Sequence, residues 1–200
     1  MIGAKKYIKW GLMLLSGLLF IITALLAYIP IFVDNFSTEI ELTLISNLFT
    51  GILFFCGGLY GIIKKKEFRQ VVYMDSVVVL QLVFLTCMAF IGEFNFSGAF
   101  VFLHVINPII ATIELLVFTV YDGAPTVRML LSSIVFPACY LIYVMIYGLL
   151  SGNWIYGILN ISKQEIQFVL LFVTIACIGI VLLTYFQYKI SSYVSKKINK

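Results

Sequence analysis

Charge is what this chain has least of: only 11% of its 200 residues are Asp, Glu, Lys or Arg. A water-soluble domain carries roughly twice that share, so a soluble fold is excluded. Histidine occurs once, and the four cysteines, Cys56, Cys87, Cys139 and Cys177, all sit inside apolar runs with no C-x-x-C spacing. Neither a metal site nor a disulfide framework is expected from that pattern, and no cofactor is implied. The excess of 13 basic over 9 acidic residues is concentrated between apolar runs. That distribution speaks for membrane topology and headgroup contact, and against nucleic acid as a partner.

What fills the chain instead is hydrocarbon. With 62% apolar residues and a mean hydropathy of +1.11, the expected fold is an all-α, polytopic transmembrane bundle, with residues 1–200 forming one domain. Six apolar runs are long enough to cross about 30 Å of hydrocarbon at 1.5 Å per residue. They cover about 8–30, 40–63, 71–91, 99–120, 129–150 and 166–190. The first is read as a helix and not a signal peptide, because the run exceeds an h-region and no small-x-small site follows it.

Placing the amino terminus inside puts twelve of the 13 basic residues on the cytoplasmic face, among them Lys5, Lys6, Lys64, Lys65, Lys66 and Lys200, and leaves only Lys163 outside. The predicted topology therefore has both termini cytoplasmic, in a multi-pass protein of the cell membrane.

Polar residues inside such runs are costly and tend to be functional. His104, Asn107, Ala111 and Glu114 fall within an arc of roughly 80° on the fourth run, a small or polar stripe that ought to face other helices or a wet cavity. Thr43, Ser46, Asn47, Thr50 and Gly51 share one face of the second run. Ser133, Pro137, Tyr140, Tyr143 and Tyr147 share one face of the fifth. The second, fourth and fifth helices are accordingly expected around a cavity, with the first, third and sixth facing lipid. His104 lies roughly 9 Å into its span and Thr43 within one turn of its own helix start, so the two can meet in the outer leaflet.

Each polar residue also has a plainer use. Hydroxyls such as those of Thr43, Ser46 and Thr50 often bond carbonyls of the preceding turn. His104 can serve as an interhelical hydrogen bond, and Glu114 as a structural link to a tyrosine or threonine of a neighbouring helix. Pro108 has no N–H to give to the carbonyl of His104, so a kink is expected beside the histidine.

Three local patterns, read together over about residues 40–160, resemble the androgen-induced and androgen-dependent family of membrane threonine hydrolases and its six-span bacterial relatives. The first is Leu42-Thr43-Leu44-Ile45-Ser46-Asn47-Leu48 at the opening of the second span. Next comes His104 with Pro108 four and Glu114 ten residues on, where the bacterial spacing has aspartate in place of Glu114. Last is Phe136-Pro137-Ala138-Cys139-Tyr140-Leu141-Ile142-Tyr143 with Tyr147-Gly148, then Asn153-Trp154-Ile155-Tyr156, in which Tyr147 stands where an arginine is more usual.

The resemblance implies hydrolysis of fatty acid esters of hydroxy fatty acids, with Thr43 as nucleophile, His104 as base and membrane lipid as both solvent and source of substrate. A threonine hydroxyl needs an adjacent base, and a neutral imidazole suits that proton transfer. Glu114 lies about 15 Å along the helix from His104, too far to orient the imidazole. Asn47 is the candidate for steadying the oxyanion. Ser46, Asn107, Tyr140 and Tyr143 are further candidates for contact with substrate. A non-catalytic lipid or small-molecule binder or transporter is the competing class, and a structural subunit a third. Nothing in the sequence sets oligomeric state.

Overall fold

A computed structural model describes residues 4–34, 41–89, 96–118 and 125–198. Every regular element among them is helical. They are α1 (Ala4–Asp34), α2 (Leu42–Lys64), α3 (Gln70–Ala89), α4 (Asn107–Phe118), α5 (Val127–Ser151) and α6 (Ile166–Ile198). A π-helical turn, Phe102–Ile106, runs directly into α4, and a 3-10 turn, Gly157–Leu159, lies in the α5–α6 loop. Five helices are long and apolar enough to cross a membrane, and Phe102–Phe118 is a shorter apolar helix. All six expected runs are therefore helical, and the chain has the character of a multi-pass membrane protein. Residues 35–40, 90–95 and 119–124, which hold the links between runs and the ends of some of them, lie outside the described residues. α6 extends past the expected end at 190, with Lys189 over the Tyr185 ring and Lys197 over that of Tyr193.

α1 and α2 form the tightest pair. A Cβ added at Gly17 would collide with the backbone of Phe55 and Gly51, and one at Gly58 would come within 2.6 Å of the Trp10 carbonyl. Small residues are what allow two membrane helices to approach this closely, since lipid offers no hydrophobic drive to press them together.

α3 takes the centre. Met74, Val77, Val78 and Leu80 are fully buried, and α4, α5 and α6 pack against it. This corrects the expectation that the third helix faces lipid: the apolar residues of α3 are not gathered on one face, and a helix of that kind belongs in the interior of a bundle as readily as at its surface. Its one mid-span amide is used for assembly. Gln81 Nε2 donates to Thr112 Oγ1 of α4 and to Gln187 Oε1 of α6, both at 3.0 Å.

The ends are set by local chemistry. Thr126 caps α5 by accepting from Met129 N at 3.3 Å, and Gly152 ends it in the left-handed region with φ 75°. After that turn the loop folds back, so that Trp154 lies against Gly148, where a Cβ would meet the indole at 2.6 Å.

Candidate functional site

The helix around His104 departs from α geometry in a specific way. Pro108 removes one donor from the ladder. One residue earlier, the Asn107 N–H reaches five back to Phe102 O in place of Leu103 O. The expected distortion is therefore present as a π turn, a feature that is frequent at functional sites. It releases the Leu103 carbonyl, which accepts from Asn47 Nδ2 of α2 at 3.3 Å.

Asn47 is the hub of a buried polar chain. Its Nδ2 also donates to Thr43 O at 2.8 Å, and its Oδ1 accepts from Asn107 Nδ2 at 2.8 Å. Asn107 Nδ2 donates in addition to Thr23 Oγ1 of α1 at 3.0 Å. Asn47 and Asn107 are both fully buried. Three helices are thus joined by side-chain amides at one level, and the backbone at Thr43 is tied to the backbone beside His104. Because both hydrogens of the Asn47 amide are spent on carbonyls, its place in this arrangement is that of a brace. Asn107 shares that place.

The α2 stripe is buried as expected, but its hydroxyls differ in use. Ser46 Oγ donates to Thr43 O at 3.1 Å and Thr50 Oγ1 to Ser76 O at 3.3 Å. Thr43 is 5% exposed, and among the described residues nothing hydrogen-bonds its hydroxyl. Thr43 lines a cavity of about 550 Å³, within the range of pockets that take small apolar ligands. Its walls come from α2, α3, α5, α6 and the α5–α6 loop. Leu42, Thr43, Cys87 and Tyr156 lie towards the loop end, and Leu82, Pro137 and Ile180 towards the middle of the bundle.

The cavity therefore lies between α3, α5 and α6, not among the second, fourth and fifth helices as expected. Asn47 and Asn107 bond each other, Glu114 bonds α1 and Thr50 bonds α3, so the two stripes close where they meet. His104 is buried at 3% exposure beside the rings of Phe96 and Phe100, with centroids 5.6 and 6.0 Å away, and it is not part of the cavity wall.

On α5, Ser133, Tyr140, Val144 and Gly148 make the buried face. Tyr140 lines the cavity, whereas Tyr143 and Tyr147 are half-buried beside a shallow groove with Cys139 and Leu150. Glu114 accepts from Ser16 Oγ of α1 at 3.0 Å, a structural link as expected, though to a serine. Pro108 is buried and Lys163 is exposed.

Tyr156 was not singled out by sequence. Its oxygen accepts from Leu42 N, in the first turn of α2, at 3.2 Å and from the Tyr140 hydroxyl at 3.2 Å. It thereby satisfies one of the amides that every helix start leaves open. Burial pushes the Tyr156 phenol up from its ordinary value, so it is a neutral hydroxyl at neutral pH. Close by, Tyr28 donates to Glu41 Oε2 at 2.6 Å, which holds the residue that precedes α2. The only hint in the sequence was a Trp-Tyr pair in a loop; the fold alone brings it to the start of α2.

Comparison with known protein families, with curated proteins and with solved structures finds no match to this chain.

Proposed function

We propose that this protein hydrolyses lipid esters within the membrane, with Thr43 as nucleophile, His104 as base and a multi-pass topology with both termini cytoplasmic. The observation that carries the reading is that Thr43, whose hydroxyl no described residue bonds, lines an apolar cavity large enough for an acyl chain. In the proposed reaction Thr43 Oγ1 attacks the ester carbonyl and its proton passes to the imidazole. The imidazolium then protonates the departing alcohol, and water, activated by the same base, releases the acid from Thr43. Asn47 bonds both Leu103 O and Thr43 O, and that bracing of the two segments supports the pairing of Thr43 with His104.

Labelling with an alkyl fluorophosphonate tests the reading. A covalent adduct on Thr43 is expected, lost in Thr43→Ala and in His104→Ala. A labelled wild type whose adduct persists in Thr43→Ala would overturn the choice of nucleophile.

A second reading, a non-catalytic lipid-binding protein, is favoured by the position of His104 between Phe96 and Phe100, off the cavity wall. It expects the wild type to bind acyl chains and to form no adduct.

A further inference from the structure

The cavity has a direction. At its loop end it is lined by residues that carry hydroxyls, Thr43, Tyr140 and Tyr156, with Thr86 of α3 beside Cys87. At its other end it meets only Leu82, Pro137 and Ile180. On α6 the wall runs from Phe172 to Ile180, eight residues or about 12 Å along the axis, and every side chain of α6 that lines it is apolar or a thiol. Small residues, Ala138, Ala176 and Cys177, keep the channel open between α5 and α6. The flanking face of α6 is uncovered, with Leu171 58% and Ile175 60% exposed, so in a membrane the acyl chains of lipid lie against the same helix that forms the wall.

Tyr156 supplies the polar end. Its oxygen already accepts from Leu42 N and Tyr140, which leaves its own hydrogen for a third group, and no described residue accepts it. A neutral phenol with a spare hydrogen at the mouth of an apolar channel is suited to a carbonyl oxygen. An anionic headgroup would gain no counter-charge there, because Lys163, the one basic residue of the 151–165 loop, is not part of the wall.

We infer that the cavity binds one unbranched acyl arm of an ester lipid, its carbonyl accepting from the Tyr156 hydroxyl and its tail ending against Leu82, Pro137 and Ile180, with Ala176 and Cys177 setting the accepted length. This rests on the ester-lipid reading of the same cavity, and it names Tyr156 as a binding residue and the α6 wall as the determinant of length.

Photocrosslinking of the full chain in nanodiscs tests it, with straight-chain fatty acid methyl esters of increasing length that carry a diazirine at the tail. Adducts are expected on α3 and α6 near Leu82 and Ile180, displaced by excess unlabelled ester of matching length. Ala176→Phe shortens the preferred ester and Cys177→Ala lengthens it. Opposite shifts from two neighbouring positions exclude simple misfolding. Tyr156→Phe weakens binding of every length about three- to tenfold, the value of one hydrogen bond.

Adducts scattered over the outer faces of the helices, without displacement, overturn the inference, as does one length profile shared by both α6 variants. Floor adducts that persist while the fluorophosphonate never labels Thr43 uphold the acyl-arm site and remove the hydrolase.

Discussion

The α1–α2 side of the bundle and the α5–α6 side are both built from strongly apolar helices, yet one closes completely and the other does not. On the first side, Gly17 and Gly58 let backbones touch, and the amides of Asn47 and Asn107 stitch α1, α2 and the π turn together. On the second, the small residues Ala138, Ala176 and Cys177 lie along the seam, and a cavity stays between the helices. In a membrane, apolar character alone does not bring helices together, because lipid tails solvate them equally well. Close approach requires small residues or polar groups with nowhere else to bond. Close packing is concentrated in one half, and room for a ligand is left in the other.

The largest break in that contrast is expected from Gly58→Leu. The new side chain has to enter the space of the Trp10 carbonyl and Leu14, and overpacking of this kind costs about 1–3 kcal/mol or more. Ala138→Leu, on the open side, is expected to be nearly neutral, and thermal unfolding in detergent compares the two directly. Equal destabilisation by both would erase the distinction between the halves.

Asn107→Leu comes next. It leaves Asn47 Oδ1 and Thr23 Oγ1 without the donor they share, at a cost of about 1–3 kcal/mol for buried groups left unmet. The double variant with Asn47→Leu should cost less than the two single losses together, because both act on one network. Strict additivity in a double-mutant cycle would show that the two amides act independently.

A smaller effect concerns the loop that joins the halves. The Tyr156 phenol is raised in the fold by burial, so the folded state holds its proton more firmly than the unfolded chain. Its contribution is fully present below the unfolded value of about 10 and falls as pH rises above it. Melting temperature should be flat with respect to this group through neutral pH and should decline above about pH 10. Tyr156→Phe should lessen that decline, and an unchanged alkaline slope in the variant would assign it to other groups.

A small change in stability is expected from Thr43→Ala, about 1 kcal/mol or less, because no described residue bonds its hydroxyl. The same substitution should abolish fluorophosphonate labelling. A large loss of stability would instead make Thr43 a structural hydroxyl like Ser46.

The number and approximate extent of the helices were legible from the sequence, since an apolar run in a chain with so little charge has few other fates. So was the burial of Thr43, Ser46, Asn47, Thr50 and Gly51, because helical periodicity places them on one face before any partner is known. Much of the site was not legible. Periodicity says which residues share a face and is silent on what that face meets, so the α2 and α4 stripes were expected to line a cavity when Asn47 and Asn107 bond each other and Thr50 and Glu114 bond α3 and α1. The central place of α3 was hidden for the opposite reason: a helix whose apolar residues are not gathered on one side has no face to read. Tyr156 was hidden by distance, 114 residues from the amide it satisfies.

Sequence by itself determined that this chain is a bundle of apolar helices and which of their residues are too polar to face lipid. Tertiary structure decided which of those polar groups satisfy one another and which do not. Thr43 stands open, and Asn47 does not, because hydrogen-bond partners are assigned by three-dimensional proximity across helices, a quantity that no spacing along a single helix contains.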